Sequence, residues 1–454
     1  MPATDMQDDA RERAGRDPVE PDLTLAGELF DTLRALSFDG VGITRDTYGA
    51  GEQRAHDLMR DAAQRLGLEV TMDAALNLYM TLPGRDRTLP AVMTGSHLDS
   101  VPRGGNFDGA AGVVAGLAAL AGWLKAGWQP EADVTVMGIR AEESAWFPVS
   151  YIGSKAAFGL LPPEALNVPR LNSDRPLVDF LTENGADIDA LRAGKRHLDP
   201  ARIDCFVELH IEQGPVLVEA GDQVGIVTGI CGSLRYRDGR VFGQYAHSGA
   251  TPSTHRQDAV VGMATLICQL QQDWATMEAE GHELNLTFGR MFTDHAQADF
   301  SKVSGRVDFT IDVRSRFPAT LQVMDGHIQA AKAKVETQWG VRVELGQASG
   351  STAAAMDEGL RRILSDTAQA RGLRVRDMPS GAGHDSATFA NLGVPTAMLF
   401  IRNAYGSHNP DEAMDMADFA EGARLVSALL ATRAGGALLE IRAGGASLAP
   451  RAGV

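Results

Sequence analysis

Cysteine is scarce in this 454-residue chain, and the three present, Cys205, Cys231 and Cys268, form no C-x-x-C pair. An odd number scattered over so long a chain excludes a disulfide framework and makes a reducing compartment, the cytoplasm, the expected setting. Basic charge is also short: 42 Lys and Arg against 59 Asp and Glu leave a formal net charge of −17. Nucleic-acid binders need clustered cations to neutralise phosphates, so that class of partner is excluded, although a local arginine can still hold a small anion. No apolar run is long enough for a membrane span. The longest, Gly109 to Leu124, has 16 residues, many of them small, and suits a buried helix. Residues 1–22 are charged and lack the apolar core of a signal peptide, which predicts a disordered lead-in. Missing too are a G-x-S-x-G elbow, a G-x-x-x-x-G-K-[ST] loop and an H-E-x-x-H helix, so serine hydrolase, P-loop and zincin chemistries have no support. The stretch SGAGHDSATFA comes near a dinucleotide fingerprint but has Ser386 at the third glycine position and no acidic partner downstream.

What is present is ordinary globular composition, 44% hydrophobic and 22% charged, in a chain long enough for two or three domains. From about Leu23 onward, helix-period segments alternate with short β-branched runs, the pattern of an α/β fold. Four strand candidates share one grammar, an apolar run that ends abruptly in polar residues: LPAVMTGSHLDS, ADVTVMGIRAEES, IDCFVELHIEQG and VPTAMLFIRNAYGSH. In open α/β sheets ligands bind beyond the carboxyl ends of the strands, so four such ends are expected to converge on one site. The middle of the chain, 229–345, reads differently, with strands such as SGRVDFTIDVRSRF flanking helices such as MDGHIQAAKAKVETQW. It is expected to be a smaller α+β domain inserted into a discontinuous catalytic domain. That domain, residues 23–228 and 346–434, is read as a mainly parallel sheet covered by helices. The Ala/Gly-rich segment 435–454 is expected to be a flexible tail.

The polar strand ends carry the chemistry. His97 and Asp99 stand two apart, on one face of an extended segment, where one side chain can bind a metal while the other orients it. Asp108 follows in GGNFDGAAG, just before a helix. Glu142 and Glu143 are adjacent carboxylates after the apolar strand VTVMGI, and such a pair repels unless a cation or a proton neutralises one member. His210 in ELHIEQGP and His408 in YGSHNPDE complete the set. Each residue alone reads more readily as structural or solvated. Together, three histidines and several carboxylates form the N/O ligand set of two divalent ions, zinc first and manganese, cobalt or nickel as alternatives. No cysteine accompanies these motifs, which speaks against a structural thiolate zinc site. In the middle segment, Arg314 can grip a carboxylate with its planar fork, with Arg235 as a second candidate, and His247 in AHSGATP can donate to an oxyanion.

The strings GSHLDSVPRGGNFDGAAGVVAGL, AEES, ELHIEQGPVL, AHSGATP, FTIDVRS, SGAGHD and SHNPDE resemble the dinuclear-metal hydantoinase/carbamoylase family of amidases, over roughly residues 25–430. That family holds N-carbamoyl-L-amino-acid hydrolases, allantoate amidohydrolases and β-ureidopropionases, within the aminoacylase and carboxypeptidase-G superfamily. The resemblance implies that His97 and His210 hold one metal and Glu143 and His408 the other, with Asp108 bridging and Asp99 orienting His97. It implies Glu142 as general base, and Arg235, His247, Arg314, Gly383 and His384 as substrate-binding residues. It further implies a homodimer built through 229–345, which would act as dimerisation and lid domain, with His247 serving the partner's site. The substrate would be a small carboxylate with a ureido or amide bond, an N-carbamoyl-L-amino acid first. Two departures bear on it. SAWFPVSYIGSK replaces a segment rich in Arg and Phe, which predicts a bulkier apolar wall, and Ser301 stands where the family often has a substrate-binding asparagine. Rival readings are an aminoacylase or dipeptidase acting on a plain amide, and a catalytically idle metal-binding protein, for which an intact Glu142 would have no use.

Overall fold

The computed structural model describes residues 20–438, which fall into two compact units. One holds the described residues up to Thr228, Met356–Met378 and those from His384 onward; the other holds Gly229–Ala355 and Pro379–Gly383.

The first unit is built on a sheet, seven of whose nine strands are β1 (Glu69–Met72), β2 (Leu78–Leu82), β3 (Ala91–His97), β4 (Val134–Ile139), β5 (Ile203–Ile211), β6 (Val224–Ile230) and β7 (Thr396–Ile401). They lie in the order β1-β2-β4-β3-β5-β7-β6. The central neighbours β4-β3-β5-β7 are all parallel, whereas the pairings at either edge, β1 with β2, β2 with β4 and β7 with β6, are antiparallel. Strands buried on both faces read as continuous apolar runs, and VTVMGI of β4 and TAMLFI of β7 are buried at every residue.

Five long helices cover this sheet: α1 (Leu23–Ser37), α2 (Ala50–Arg65), α3 (Ala110–Ala126), α4 (Glu358–Ala370) and α5 (Met416–Ala434). The apolar run singled out in the sequence is α3, buried from Ala110 to Trp123 because it packs against β3 and β5 on one side and α1 and α5 on the others. Because β3, β4, β5 and β7 run parallel, their carboxyl ends share one edge. His97 closes β3 opposite Ile139, and His210 lies opposite Phe400.

The second unit has an antiparallel sheet ordered Asn285–Thr287, Arg306–Ser315, Gly232–Phe242, Arg342–Glu344, backed by helices Ala259–Ala279 and Pro318–Trp339. Along Arg306–Ser315 burial alternates residue by residue, so that Val307, Phe309, Ile311 and Val313 enter the core with Met263, Leu266, Met324 and Ile328.

Four boundaries differ from expectation. Residues 346–355 belong to the second unit, because Ala348–Ser351 pairs with the strand Gly232–Phe242, and so do Pro379–Gly383. Asp22 is part of the fold: its carboxylate accepts from Leu25 N at 3.2 Å to cap α1, and its own N–H donates to Ala118 O at 2.8 Å. Gly436–Leu438 forms a short strand against Trp128–Pro130. Residues 1–19 and 439–454, the remainder of the expected lead-in and tail, lie outside the described residues.

The tightest contact between α3 and the sheet is at Gly112, where a Cβ would lie 2.5 Å from Leu209 O and 2.7 Å from Ser96 Cβ. Gly112→Ala must push α3 away from β3 and β5. It is expected to lower the unfolding free energy by about 1–3 kcal/mol, seen as a lower denaturant midpoint; an unchanged midpoint would contradict this packing.

Candidate metal centre

Asp99, fully buried just beyond β3, organises one side of the site. Its Oδ1 lies 3.4 Å from His97 Nδ1 and accepts from Glu142 N at 3.1 Å. Its Oδ2 accepts from Glu143 N at 3.2 Å and from Thr47 Oγ1 at 2.6 Å. One carboxylate therefore both faces the His97 ring and pins the backbone of the glutamate pair. Ala141, immediately before that pair, has φ +56°, and its N–H is held at 2.9 Å by Glu52, a carboxylate buried against Arg140.

Asp108 lies at the centre. Its Oδ1 is 3.5 Å from His97 Nε2 and 3.2 Å from His210 Nε2, while Oδ2 is 3.5 Å from His408 Nε2, which in turn is 3.2 Å from Glu143 Oε1. Two groups able to hold an ion result, His97–Asp108–His210 and Asp108–Glu143–His408, with Asp108 common to both. The ring tautomers support this reading. His97 Nδ1 faces Asp99 O at 3.1 Å and His210 Nδ1 faces Ile211 O at 2.8 Å. Carbonyls only accept, so in the neutral rings Nδ1 carries the hydrogen and Nε2 presents its lone pair. His210 Nε2 is moreover an acceptor for Gly109 N at 3.2 Å. Asp108 Oδ1, buried and without a hydrogen-bond partner, thus meets two ring lone pairs. Acceptors gathered in this way fit a shared divalent cation.

The charges respond accordingly. Burial opposes a charged His97, but the carboxylates of Asp108 and Asp99 hold it well above the usual histidine range, so that a proton takes the place an ion would fill. His210 is raised in the same way, against burial, by Asp108. His408 is pushed up to about 9, chiefly by its hydrogen bond to Glu143. Burial raises the carboxyl of Glu142 well above the carboxylate range; His97 opposes this and the charges of Glu143, Asp385 and Asp99 add to it. Glu142 consequently holds a proton more tightly than a solvated glutamate does.

All seven proposed residues of the metal side, His97, Asp99, Asp108, Glu142, Glu143, His210 and His408, come together in the first unit. His384 is buried there too, its ring centroid 4.6 Å from that of His210. In the second unit Arg235 and Arg314 meet over Asp312: Arg235 Nε is 3.4 Å from Oδ1, and Arg314 donates to Oδ2 at 3.0 and 3.1 Å and to Gly381 O at 2.8 Å. Gly383 is half-buried in the same unit. His247 is exposed, and its Nδ1 accepts from Gly249 N and Ala250 N, both at 3.1 Å, which leaves Nε2 as the donor. Ser301 is exposed and bonded to Asp299 at 3.0 Å.

The expected apolar wall is not there. Trp146 and Phe147 are 8% and 0% exposed; Trp146 donates to Ser100 O at 2.8 Å and stacks beneath the Arg170 guanidinium, so both rings build a satellite core.

Several supporting residues escaped the sequence reading. Gln213, next to the ELHIE run, donates to Asp108 Oδ2 at 2.9 Å, and a closer reading of that motif would have found it. Arg45 is fully buried, donating to Leu98 O at 2.7 Å and more distantly to the carbonyls of Asn106 and Asp108. Nothing in TRDTYG marks it locally.

A parallel sheet whose carboxyl edge gathers two ligand groups around one carboxylate defines a class, the α/β metal-dependent hydrolases. The chain belongs to Peptidase family M20/M25/M40, whose description matches residues 93–432, and it is an amidohydrolase of the hydantoinase/carbamoylase type, acting on carbon–nitrogen bonds other than peptide bonds. It is similar to the N-carbamoyl-L-amino acid amidohydrolase of Geobacillus stearothermophilus, at 34% identity over 390 residues, covering 85% of this chain and 92% of the relative. It is also similar to the allantoate amidohydrolase of Escherichia coli (strain K12), at 32% over 412 residues, covering 88% and 96%. Among solved structures, the hydantoinase/carbamoylase family amidase from Burkholderia multivorans superposes with a TM-score of 0.81 at 27% identity, over 92% of this chain and 98% of that one. Among the described residues, no helix is long and apolar enough to cross a membrane.

The raised histidine gives a pH test. With a folded-state pKa of about 9 against an ordinary 6.5, the contribution of His408 is complete below pH 6.5 and is lost as the pH rises through 9. In chelator, thermal stability is expected to fall across that window. Because an ion takes the proton's place, the stabilisation by added zinc is expected to grow over the same range. A zinc effect independent of pH would contradict the assignment.

Proposed function

We propose that the protein hydrolyses the ureido bond of an N-carbamoyl-L-amino acid, releasing the amino acid, carbon dioxide and ammonia. The observation that carries this reading is the shared carboxylate of Asp108, between two ligand groups and beside the pinned Glu142. His97 and His210 would hold one divalent ion, Glu143 and His408 the other, and Asp108 both, with zinc the first choice and manganese, cobalt or nickel as alternatives. Such ions, when bound, polarise a carbonyl and make water acidic enough to attack at neutral pH.

The chain's own groups do the rest. Glu142 takes the proton of the attacking water as its oxygen bonds to the carbamoyl carbon. It then delivers that proton to the amino-acid nitrogen as the carbon–nitrogen bond breaks, leaving carbamate, which decays to carbon dioxide and ammonia. Asp99 keeps the His97 ring and the Glu142 backbone in place through this exchange. Arg314 and Arg235 hold the substrate carboxylate, while Ser301, Gly383 and His384 complete its binding. His247, whose Nε2 carries the hydrogen in its neutral form, donates to the developing oxyanion and serves the site of a partner subunit in a homodimer formed through the second unit. The three cysteines, Cys205, Cys231 and Cys268, are all free, which suits a cytoplasmic enzyme.

Allantoate is the second reading, favoured by the Escherichia coli relative, and Ser301 bears on the choice because a serine reaches less far than an asparagine. An assay of ammonia release from N-carbamoyl-L-amino acids, allantoate and β-ureidopropionate, with metal supplied, separates these readings. No release from any of them would refute the reading. Glu142→Gln is expected to retain its metal and lose about 10²–10⁴-fold in kcat; activity within tenfold of wild type would refute the base assignment. His408→Ala should instead lower metal content in elemental analysis.

A further inference from the structure

His408 comes from a loop rather than from a strand, and its side chain is 51% exposed. The loop is strained: Tyr405 and His408 have φ of +65° and +62°. It is closed at its base by the pairing of Ala404 with Ala413. Yet its imidazole must reach the same carboxylate as two rings set rigidly by β3 and β5. Something must tie this loop to Asp108.

Glu412 occupies that position. It is 8% exposed, and its Oε1 accepts from Phe107 N at 2.8 Å and from Asp108 N at 3.3 Å. Its Oε2 is 3.0 Å from Ser407 Oγ, whose one hydrogen is shared between Oε2 and Asp108 Oδ2. One carboxylate thus binds the peptide that carries Asp108 and the residue just before His408. The fit is close: a Cβ at Gly105 would lie 2.0 Å from the Glu412 Cδ. That glycine leaves the space in which the Glu412 head sits.

We propose that Glu412 is a positioning residue that locks the His408 loop onto Asp108 and so sets the affinity of the Asp108–Glu143–His408 group for its ion. The proposal rests on the two-metal reading above. Its consequence is asymmetric. His97 and His210 are set by strands, and only Asp108 links their ion to Glu412, so losing the Glu412 contacts should weaken the Glu143–His408 ion far more than the other.

Zinc titrated into chelator-stripped full-length protein against a chromophoric competitor tests this. Wild type is expected to take two equivalents. Glu412→Ala should hold the first with nearly unchanged affinity and the second at least tenfold more weakly. Gly105→Ala, which crowds the carboxylate without removing it, should do the same and stands in if Glu412→Ala fails to fold. Glu412→Gln keeps an oxygen for both N–H donors and should restore near wild-type binding. Leu364→Ala, a core truncation in α4, should lower thermal stability and keep both ions. Wild-type affinity for the second zinc in Glu412→Ala and Gly105→Ala would overturn the proposal, as would its loss in Leu364→Ala. Fewer than two equivalents in wild type would overturn the dinuclear reading itself, whatever the variants do.

Discussion

A buried carboxylate facing ring lone pairs is the constraint around which the first unit is arranged. Asp108 Oδ1 has no hydrogen-bond partner, and the Nε2 atoms of His97 and His210 approach it at 3.5 and 3.2 Å. A burial of this kind is costly unless a cation, or at least a proton, sits among the three atoms. The surrounding structure keeps the acceptors in place. Parallel strands bring His97 and His210 to a common edge, and carbonyls at Asp99 and Ile211 fix each ring's tautomer. On the other side, His408 faces the second oxygen of the same carboxylate and Glu143 faces His408.

The backbone around the site is held largely by buried charged groups. Arg45 donates to carbonyls on either side of the loop between His97 and Asp108, while Glu412 accepts from amides of the same loop. Glu52 and Arg140 form a buried pair at 3.1 Å behind the glutamates, and Glu52 also accepts from Tyr48 N at 2.6 Å. Opposite charges, each satisfied by backbone groups, allow a loop-rich edge to be as well determined as the sheet beneath it. The negative net charge of the chain takes on a local meaning here, since part of it is the acidic shell that favours cations at Asp108.

Much of this was legible in the sequence because the relevant signals are local. Apolar runs that lead toward His97, Glu142, His210 and His408 announce buried parallel strands with chemistry at or beyond their ends, and the small-residue run after Asp108 announces a buried helix. The inserted α+β segment was visible in strands such as SGRVDFTIDVRSRF flanking helices such as MDGHIQAAKAKVETQW. What was not legible depends on contacts between distant residues. Arg45 lies 63 positions from Asp108 and Glu412 lies 304 from it, and neither sits in a pattern that advertises a partner. Trp146 shows the converse error: the segment SAWFPVSYIGSK suggested a bulkier apolar wall, but Arg170 and Ser100 O claim its tryptophan for the core. The pairing of Ala348–Ser351 with Gly232–Phe242, which moves the edge of the second unit, is also invisible without register.

The most direct test is anomalous diffraction from crystals of the zinc-loaded protein, collected on either side of the zinc edge. The account predicts two peaks separated by about 3.5–4 Å, one beside His97 and His210, the other beside Glu143 and His408, with an Asp108 oxygen at each. A single peak would contradict it. So would density centred instead among Glu208, His210 and His384, the third group of potential ligands.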